Sequence, residues 1–175
     1  MKPSILLISA ILATPAMAEP QEARQHIKGF ATELKQTLVS TMKAKGPLAA
    51  IETCHISAPV IADQHSQSPW HISRSSLKVR NPDNAPNEWL IGIMNDFEKR
   101  KAQGEPVGKI EHAEQKEDGW YFVKAIPTQG PCLVCHGENI APQVQSKLKS
   151  LYPNDQATGF KLGDIRGVFV VKKDQ

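Results

Sequence analysis

Apolar residues in the first third of the chain recur every three or four positions, the period of one face of an α-helix. Over residues 21–44 they are Ala23, Ile27, Phe30, Leu34, Leu38 and Met42. Gly46-Pro47 interrupts this pattern. Because proline suits the first turn of a helix, we expect a second helix from residue 47. If that helix continues through Pro59, it carries one apolar stripe. The stripe consists of Ile51, Cys54, Ala58 and Ile61.

The later part of the chain alternates turn-forming residues with short runs that favour strands. The expected extended segments are residues 70–79, 107–115, 120–126 and 167–171. Helical spacing predicts two further helices, at residues 88–101 and 144–151. Glu117-Asp118-Gly119 separates two of the strands and predicts a hairpin. Helices followed by a strand-rich half are typical of an α+β domain with an antiparallel sheet.

Residues 1–18 have the pattern of a secretory signal peptide. Lys2 supplies the positive charge, an apolar run follows, and Ala16-Met17-Ala18 places small residues where a signal peptidase reads them. The apolar run is shorter than the roughly 20 residues that span a bilayer, so a membrane anchor is the weaker interpretation. We therefore expect cleavage after Ala18, leaving a soluble periplasmic protein with one domain, residues 19–175.

Charge and cysteine content narrow the class of protein. The chain of 175 residues carries 21 basic and 18 acidic side chains, and removal of Lys2 with the signal peptide lowers the net charge from +3 to +2. This balance favours neither nucleic acid nor an anionic membrane as a partner. Three cysteines is an odd number, whereas a disulfide framework prefers an even one.

The segment Cys132-Leu133-Val134-Cys135-His136 is the C-x-x-C-H signature of c-type haem attachment. Two cysteines at this spacing can form thioethers with the two vinyl groups of one porphyrin edge, and the following histidine can bind the iron. A thioredoxin-like pair would open a helix, whereas Pro131 and Gly137 predict a loop. A zinc site would need two more ligands at recognisable spacing. One copy of the motif predicts one covalently attached haem c.

Four stretches, in order along nearly the whole of residues 19–175, resemble the Tll-like haem domains, single-haem proteins with a PAS-like fold. They are AAIETCHISAPVIA, RSSLKVRNPDNAPNEW, PCLVCHG and YPNDQATGFKLGDIRGV. The resemblance implies an α+β fold in which a PAS-like antiparallel sheet and N-terminal helices pack around one covalently bound haem. It also implies two axial iron ligands, His136 and Cys54. Here Cys54 is followed by His55, where the family often has a small residue.

Other interpretations of these residues remain open. Cys54 has an alternative as a small core residue, since free cysteine is often buried. His55, His71 and Met94 are then the alternative sixth ligands. The remaining histidines lie in polar sequence and are expected at the surface. They are His26, His65 and His112.

Arginines near the third helix are candidates for binding the haem propionates. Arg74 and Arg80 lie close together before an Asn-Pro turn, and arginine forms charge-assisted, bidentate hydrogen bonds with carboxylates. Arg166 is a further candidate for binding a propionate. The alternative for each of the three is a solvated surface charge.

These features predict an exported c-type haem protein that acts as a redox or small-gas sensor, for NO, CO or O2. The alternative is a periplasmic one-electron transfer protein. An enzyme such as a peroxidase ranks last, because no distal acid–base pair can be assigned. Domains of the family resembled often serve as extracellular inputs of signalling proteins, so the expected partners are a diatomic gas or an exported redox or signalling protein.

Overall fold

The computed structural model describes residues 18–175, so the predicted signal peptide lies outside the described residues except for Ala18. The first helix, α1, spans Ala18–Gln64 and is kinked at Gly46, where φ is 80° and ψ is 178°. This backbone conformation is essentially confined to glycine. Pro47 then begins the second part of α1, as predicted, and the helix continues through Pro59. Cys54 therefore lies on a helix.

Within residues 18–175, four strands form one sheet. The strands are β1 (Trp70–Ser75), β2 (Glu111–Lys116), β3 (Gly119–Pro127) and β4 (Ile165–Lys173). Their order in the sheet is β1-β4-β3-β2, and every neighbouring pair is antiparallel. The two neighbours β2 and β3 form the predicted hairpin. The prediction of an α+β domain with an antiparallel sheet is confirmed.

Three further helices accompany the sheet. They are α2 (Glu88–Ala102), α3 (Leu133–His136) and α4 (Pro142–Leu151). The side chain of Asn87 caps α2 by accepting a hydrogen bond of 2.9 Å from the main-chain N–H of Leu90. No helix within residues 18–175 is long and apolar enough to cross a membrane.

Two local predictions were wrong. Residues 107–109 form a 3-10 turn instead of the start of a strand, because Pro106 lacks an N–H and Gly108 weakens a strand. The C-x-x-C-H segment was expected to be a loop. It is instead a 3-10 turn, Gly130–Cys132, that runs directly into α3.

Different helices cover the two faces of the sheet. On β4, Val168 and Val170 pack with the buried face of α2, whereas Phe169 and Val171 pack with α1. A third cluster joins Ile51, in the second part of α1, to Val144 and Leu148 of α4, and Cys135 and Tyr152 pack against it. This cluster holds the second part of α1 beside the C-x-x-C-H turn.

Candidate cofactor site

The C-x-x-C-H turn lies against the segment 152–160. The main-chain N–H of Gly159 donates to the carbonyl of Gly137 at 3.0 Å, and that of Phe160 donates to the carbonyl of His136 at 2.9 Å. A Cβ on Gly137 would stand 2.6 Å from the carbonyl oxygen of Leu133, so the tight turn after the motif requires glycine. The thiols of Cys132 and Cys135 are free and half-buried.

His136 is held in one orientation by the main chain. Its Nδ1 lies 2.7 Å from the carbonyl oxygen of Ala157, and because a carbonyl only accepts, Nδ1 carries the proton. Nε2 is then unprotonated, and its lone pair, which faces Nη1 of Arg80 at 3.4 Å, is the one that could bind a metal. Burial holds the pKa of His136 well below its ordinary value, and the charges of Arg166 and Arg80 act in the same direction. The imidazole is therefore neutral, the form that binds metals.

Cys54 reaches this site from the second part of α1. Ile51, three residues earlier on this helix, belongs to the cluster on which Cys135 also packs, and the thiol of Cys54 is half-buried. Burial raises the pKa of the Cys54 thiol, while the positive charges of Arg74 and Arg80 lower it. The two opposing effects make the protonation of this sulfur depend on what lies beside it.

Arg80 is buried within the site and already has partners. Its guanidinium pairs with Asp155 at 2.9 Å and donates to the carbonyl of Cys135 at 2.6 Å. Its Nη1 lies 3.4 Å from Nε2 of His136. The side chains of Arg80 and Asp155 are only 13% and 10% exposed, so the interpretation of Arg80 as a solvated surface charge was wrong. The pair clamps the segment around Asp155 against the motif.

The other two arginines differ from Arg80 in their partners. The guanidinium of Arg74 stands 5.6 Å from the ring centre of Phe30, and its charge acts on Cys54. Arg166 donates from Nη1 to the hydroxyl of Ser76 at 3.1 Å. Neither side chain pairs with a carboxylate within residues 18–175. The structure thus brings together all six of the predicted site residues. They are Cys54, Arg74, Arg80, Cys132, Cys135 and His136.

A comparison with protein families decides the relationship. Residues 11–173 match the family model described as Tll0287-like. The chain belongs to the Tll0287-like family. The resemblance seen in the four sequence stretches is therefore confirmed.

A solved structure has the same fold as this Tll0287-like chain. It is the crystal structure of the cyanobacterial heme-protein Tll0287, which superposes with a TM-score of 0.66. The two are 23% identical, and the match covers 93% of this chain and 98% of that one. No curated protein matches the chain.

The alternative sixth ligands of the Tll0287-like chain lie in different places. Met94 is 2% exposed and packs between α2 and the face of the sheet that α1 does not cover. His71 is exposed and bonds to Asp174 at 2.7 Å. These two alternatives were wrong. His55 is exposed, with its ring 5.1 Å from that of Tyr152.

The three histidines expected at the surface are half-buried. His26 packs on Trp70 with ring centres 4.9 Å apart, His65 bonds to Glu33 at 2.8 Å, and His112 bonds to Glu114 at 3.2 Å. Each has neighbours of its own outside the candidate site.

Sequence reasoning missed Asp155, Tyr152 and Phe160. Asp155 pairs with Arg80 across 75 positions of the chain, and a lone acidic residue in a turn gives no signal of such a partner. Phe160 stands edge-on to His136 with ring centres 6.3 Å apart. All three belong to the stretch that carried the resemblance, which was the available signal.

Proposed function

We propose that this protein is an exported haem protein in which Cys132 and Cys135 would hold one haem c covalently and His136 would bind its iron. The observation that carries the proposal is the hydrogen bond from Nδ1 of His136 to Ala157, since it leaves Nε2 unprotonated within the C-x-x-C-H turn. Membership of a family that includes a protein described as a heme-protein supports the same assignment.

The residues present fit this group. Two half-buried free thiols, separated by two residues within one turn of chain, could each form a thioether with a vinyl group, and a neutral imidazole follows them directly. When bound, a haem supplies a one-electron redox centre and an iron that accepts small axial ligands. The chain supplies the orientation of the imidazole, the surrounding positive charge and a second sulfur from α1.

We further propose that Cys54 would supply the second iron ligand and that the protein is a redox or small-gas sensor in the periplasm. A thiolate binds iron, whereas a neutral thiol is a poor ligand. Burial favours the thiol form of Cys54, and Arg74 and Arg80 favour the thiolate. The pKa of Cys54 lies above its ordinary value because burial outweighs the two arginines, so the thiol would give up its proton only beside a further positive charge, such as that of an iron. Such a conditional ligand suits a sensor.

One-electron transfer between exported proteins is the second candidate. The observation that favours it is the exposure of the motif edge, since Val134 within C-x-x-C-H is 37% exposed. Leu162, two residues after the Phe160 that pairs with Gly137, is 71% exposed. Exposed apolar side chains beside a redox centre are typical of docking surfaces. A carrier, however, has no use for a ligand that is released.

Addition of CO and of NO to the reduced protein separates the two functions. A sensor is expected to bind at least one gas, with a changed visible spectrum, because buried Cys54 would favour its neutral thiol form and would then be a poor ligand. A carrier would bind neither gas, so its spectrum should stay unchanged with both gases. The control is the Cys132→Ala/Cys135→Ala variant, whose haem is expected to be extractable by acid acetone. Extractable haem in the wild type would contradict covalent attachment.

A further inference from the structure

Three arginine side chains from different segments converge on the candidate site. Arg74 lies on β1, Arg80 follows that strand, and Arg166 lies on β4. Their charges act on one another and on His136. Buried like charges repel, and each also loses hydration, so such a cluster is unfavourable unless anions accompany it.

The carboxylates of the described residues balance only one of these charges. Asp155 pairs with Arg80, whereas no ion pair within residues 18–175 involves Arg74 or Arg166. Three guanidinium groups against one carboxylate leave two positive charges without a counter-ion. Burial and the charges of Arg80 and Arg74 lower the pKa of Arg166 to about 10. That shift is in the direction expected for a buried, uncompensated cation.

Arg166 also has an unused donor. Its Nε is buried and meets no hydrogen-bond acceptor within the described residues. The rest of the guanidinium is well placed, with Nη1 donating to the hydroxyl of Ser76 and the group stacked 5.1 Å from the ring centre of Phe160. A buried donor without an acceptor is unfavourable, and a carboxylate oxygen would supply the missing acceptor.

We propose that Arg166 and Arg74, with Ser76 beside Arg166, form a buried carboxylate-binding site, and that it takes the two propionates of the haem. This inference rests on the proposed function. Two propionates carry two negative charges, equal to the two positive charges that lack a counter-ion. Arg80 has no share in the site, because Asp155 already occupies its guanidinium. The pairing expected from sequence, Arg74 with Arg80, thus becomes Arg74 with Arg166.

The test measures the midpoint potential of the haem-loaded protein from mildly acidic to alkaline pH. Arg166→Gln is expected to lower the potential at alkaline pH, because removal of a positive charge disfavours the added electron. Its potential should return toward the wild-type value at acidic pH, where the unpaired propionate takes up a proton. Arg166→Lys keeps the charge and should stay close to the wild type. Lys161→Gln removes an exposed charge and is the matched control.

A potential and pH profile of Arg166→Gln that match those of Lys161→Gln would overturn the inference. If Arg166→Gln does not accumulate, Arg74→Gln carries the test with the same expected direction. A wild type without covalent haem overturns the proposed function separately from this site.

Titration of the wild type with acetate at constant ionic strength tests the source of the carboxylates. An unchanged potential supports the propionates. A saturable change that Arg166→Gln abolishes would show that a free carboxylate fills the site, and would overturn the propionate assignment. In a protein that lacks haem, acetate should raise the melting temperature of the wild type more than that of Arg166→Gln. Equal shifts there would overturn the carboxylate site itself.

Discussion

At the scale of the residue, burial shifts the pKa values of the two candidate ligands in opposite directions. It favours the neutral form of each, as the lowered pKa of His136 and the raised pKa of Cys54 show. Neutral imidazole is the form that binds a metal, whereas the neutral thiol is not. The imidazole of His136 could therefore bind a metal without losing a proton, whereas Cys54 could do so only where positive charge stabilises its thiolate.

Replacement of Cys54 by serine tests this difference. If the thiolate binds ferric iron, Cys54→Ser should lose the low-spin thiolate EPR signal and raise the midpoint potential, because an anionic sulfur favours the ferric state. His55→Ala is the matched control, since His55 is the exposed neighbour on the same helix. An unchanged EPR spectrum in Cys54→Ser, together with a changed one in His55→Ala, would transfer the ligand role to His55.

Asp155→Asn is expected to destabilise the fold strongly. It leaves the buried guanidinium of Arg80 without a counter-ion, beside two other arginines, and loss of one partner of a buried pair costs about 3–5 kcal/mol. Urea unfolding of the haem-loaded proteins measures the difference. Asp96→Asn is the control, because Asp96 is 60% exposed and stands 3.9 Å from Arg100. Its change should stay below about 1 kcal/mol, and an equal loss in both variants would contradict the assignment.

At the scale of the element, the kink at Gly46 divides α1 into two parts that pack in different places. The first part covers one face of the sheet, and the second carries Cys54 and packs on α4. A straight helix at 1.5 Å per residue would extend about 70 Å, far beyond the sheet that it covers. The kink turns the second part back toward the C-x-x-C-H turn.

Two glycine substitutions test the kink. At Gly46 a Cβ meets nothing within 4 Å, so the cost of Gly46→Ala comes only from the backbone, where φ is 80°. That cost is on the order of 1–3 kcal/mol. At Gly92, within α2, a Cβ also meets nothing, and Gly92→Ala should stabilise by about 0.5–1 kcal/mol. Urea unfolding should therefore give changes of opposite sign, and a neutral or stabilising Gly46→Ala would contradict the kink.

At the scale of the whole molecule, ion pairs connect the start of α1 to the sheet. Arg24 donates from Nε to Glu111 on β2 at 3.1 Å, and Lys124 on β3 donates to the same carboxylate at 3.1 Å. Lys173, at the end of β4, donates to Glu19 at 2.9 Å. The first helix is thus tied to β2 and to the end of β4, the last strand of the chain.

The Arg24–Glu111 contact makes stability depend on pH. The hydrogen bond from Arg24 lowers the pKa of Glu111 below 4.5 in the folded protein. A lowered folded-state pKa stabilises the fold above the unfolded-state value and loses that effect as pH falls through the folded-state value. Glu111→Gln should thus lose less than about 1 kcal/mol at neutral pH, since Arg24 is half exposed, and almost nothing at pH values below the folded-state pKa.

Unfolding in urea at neutral and at acidic pH measures this difference between wild type and Glu111→Gln. Exposed Glu117 supplies the control, and Glu117→Gln should follow the wild type at both pH values. A deficit of Glu111→Gln that persists undiminished in acid would show that packing, and not charge, is responsible.

The sequence by itself determined the features that depend on neighbouring positions. The spacing of Cys132, Cys135 and His136 places all three within one turn of chain, and apolar periodicity located α1 and α2. The interruption at Gly46 was visible because it needs a conformation that only glycine adopts readily. These features follow from local geometry, so they do not depend on how distant segments meet.

Only the tertiary structure decided which distant residues share the site. The packing of α2 places Met94 on the face of the sheet away from α1, while the kink lets the second part of α1, which carries Cys54, pack on the cluster that Cys135 also contacts. The tertiary structure also pairs Arg80 with Asp155 and leaves the Nε donor of Arg166 without an acceptor within the described residues. No pattern in the sequence reports such pairs, because each depends on the three-dimensional approach of segments that are far apart along the chain.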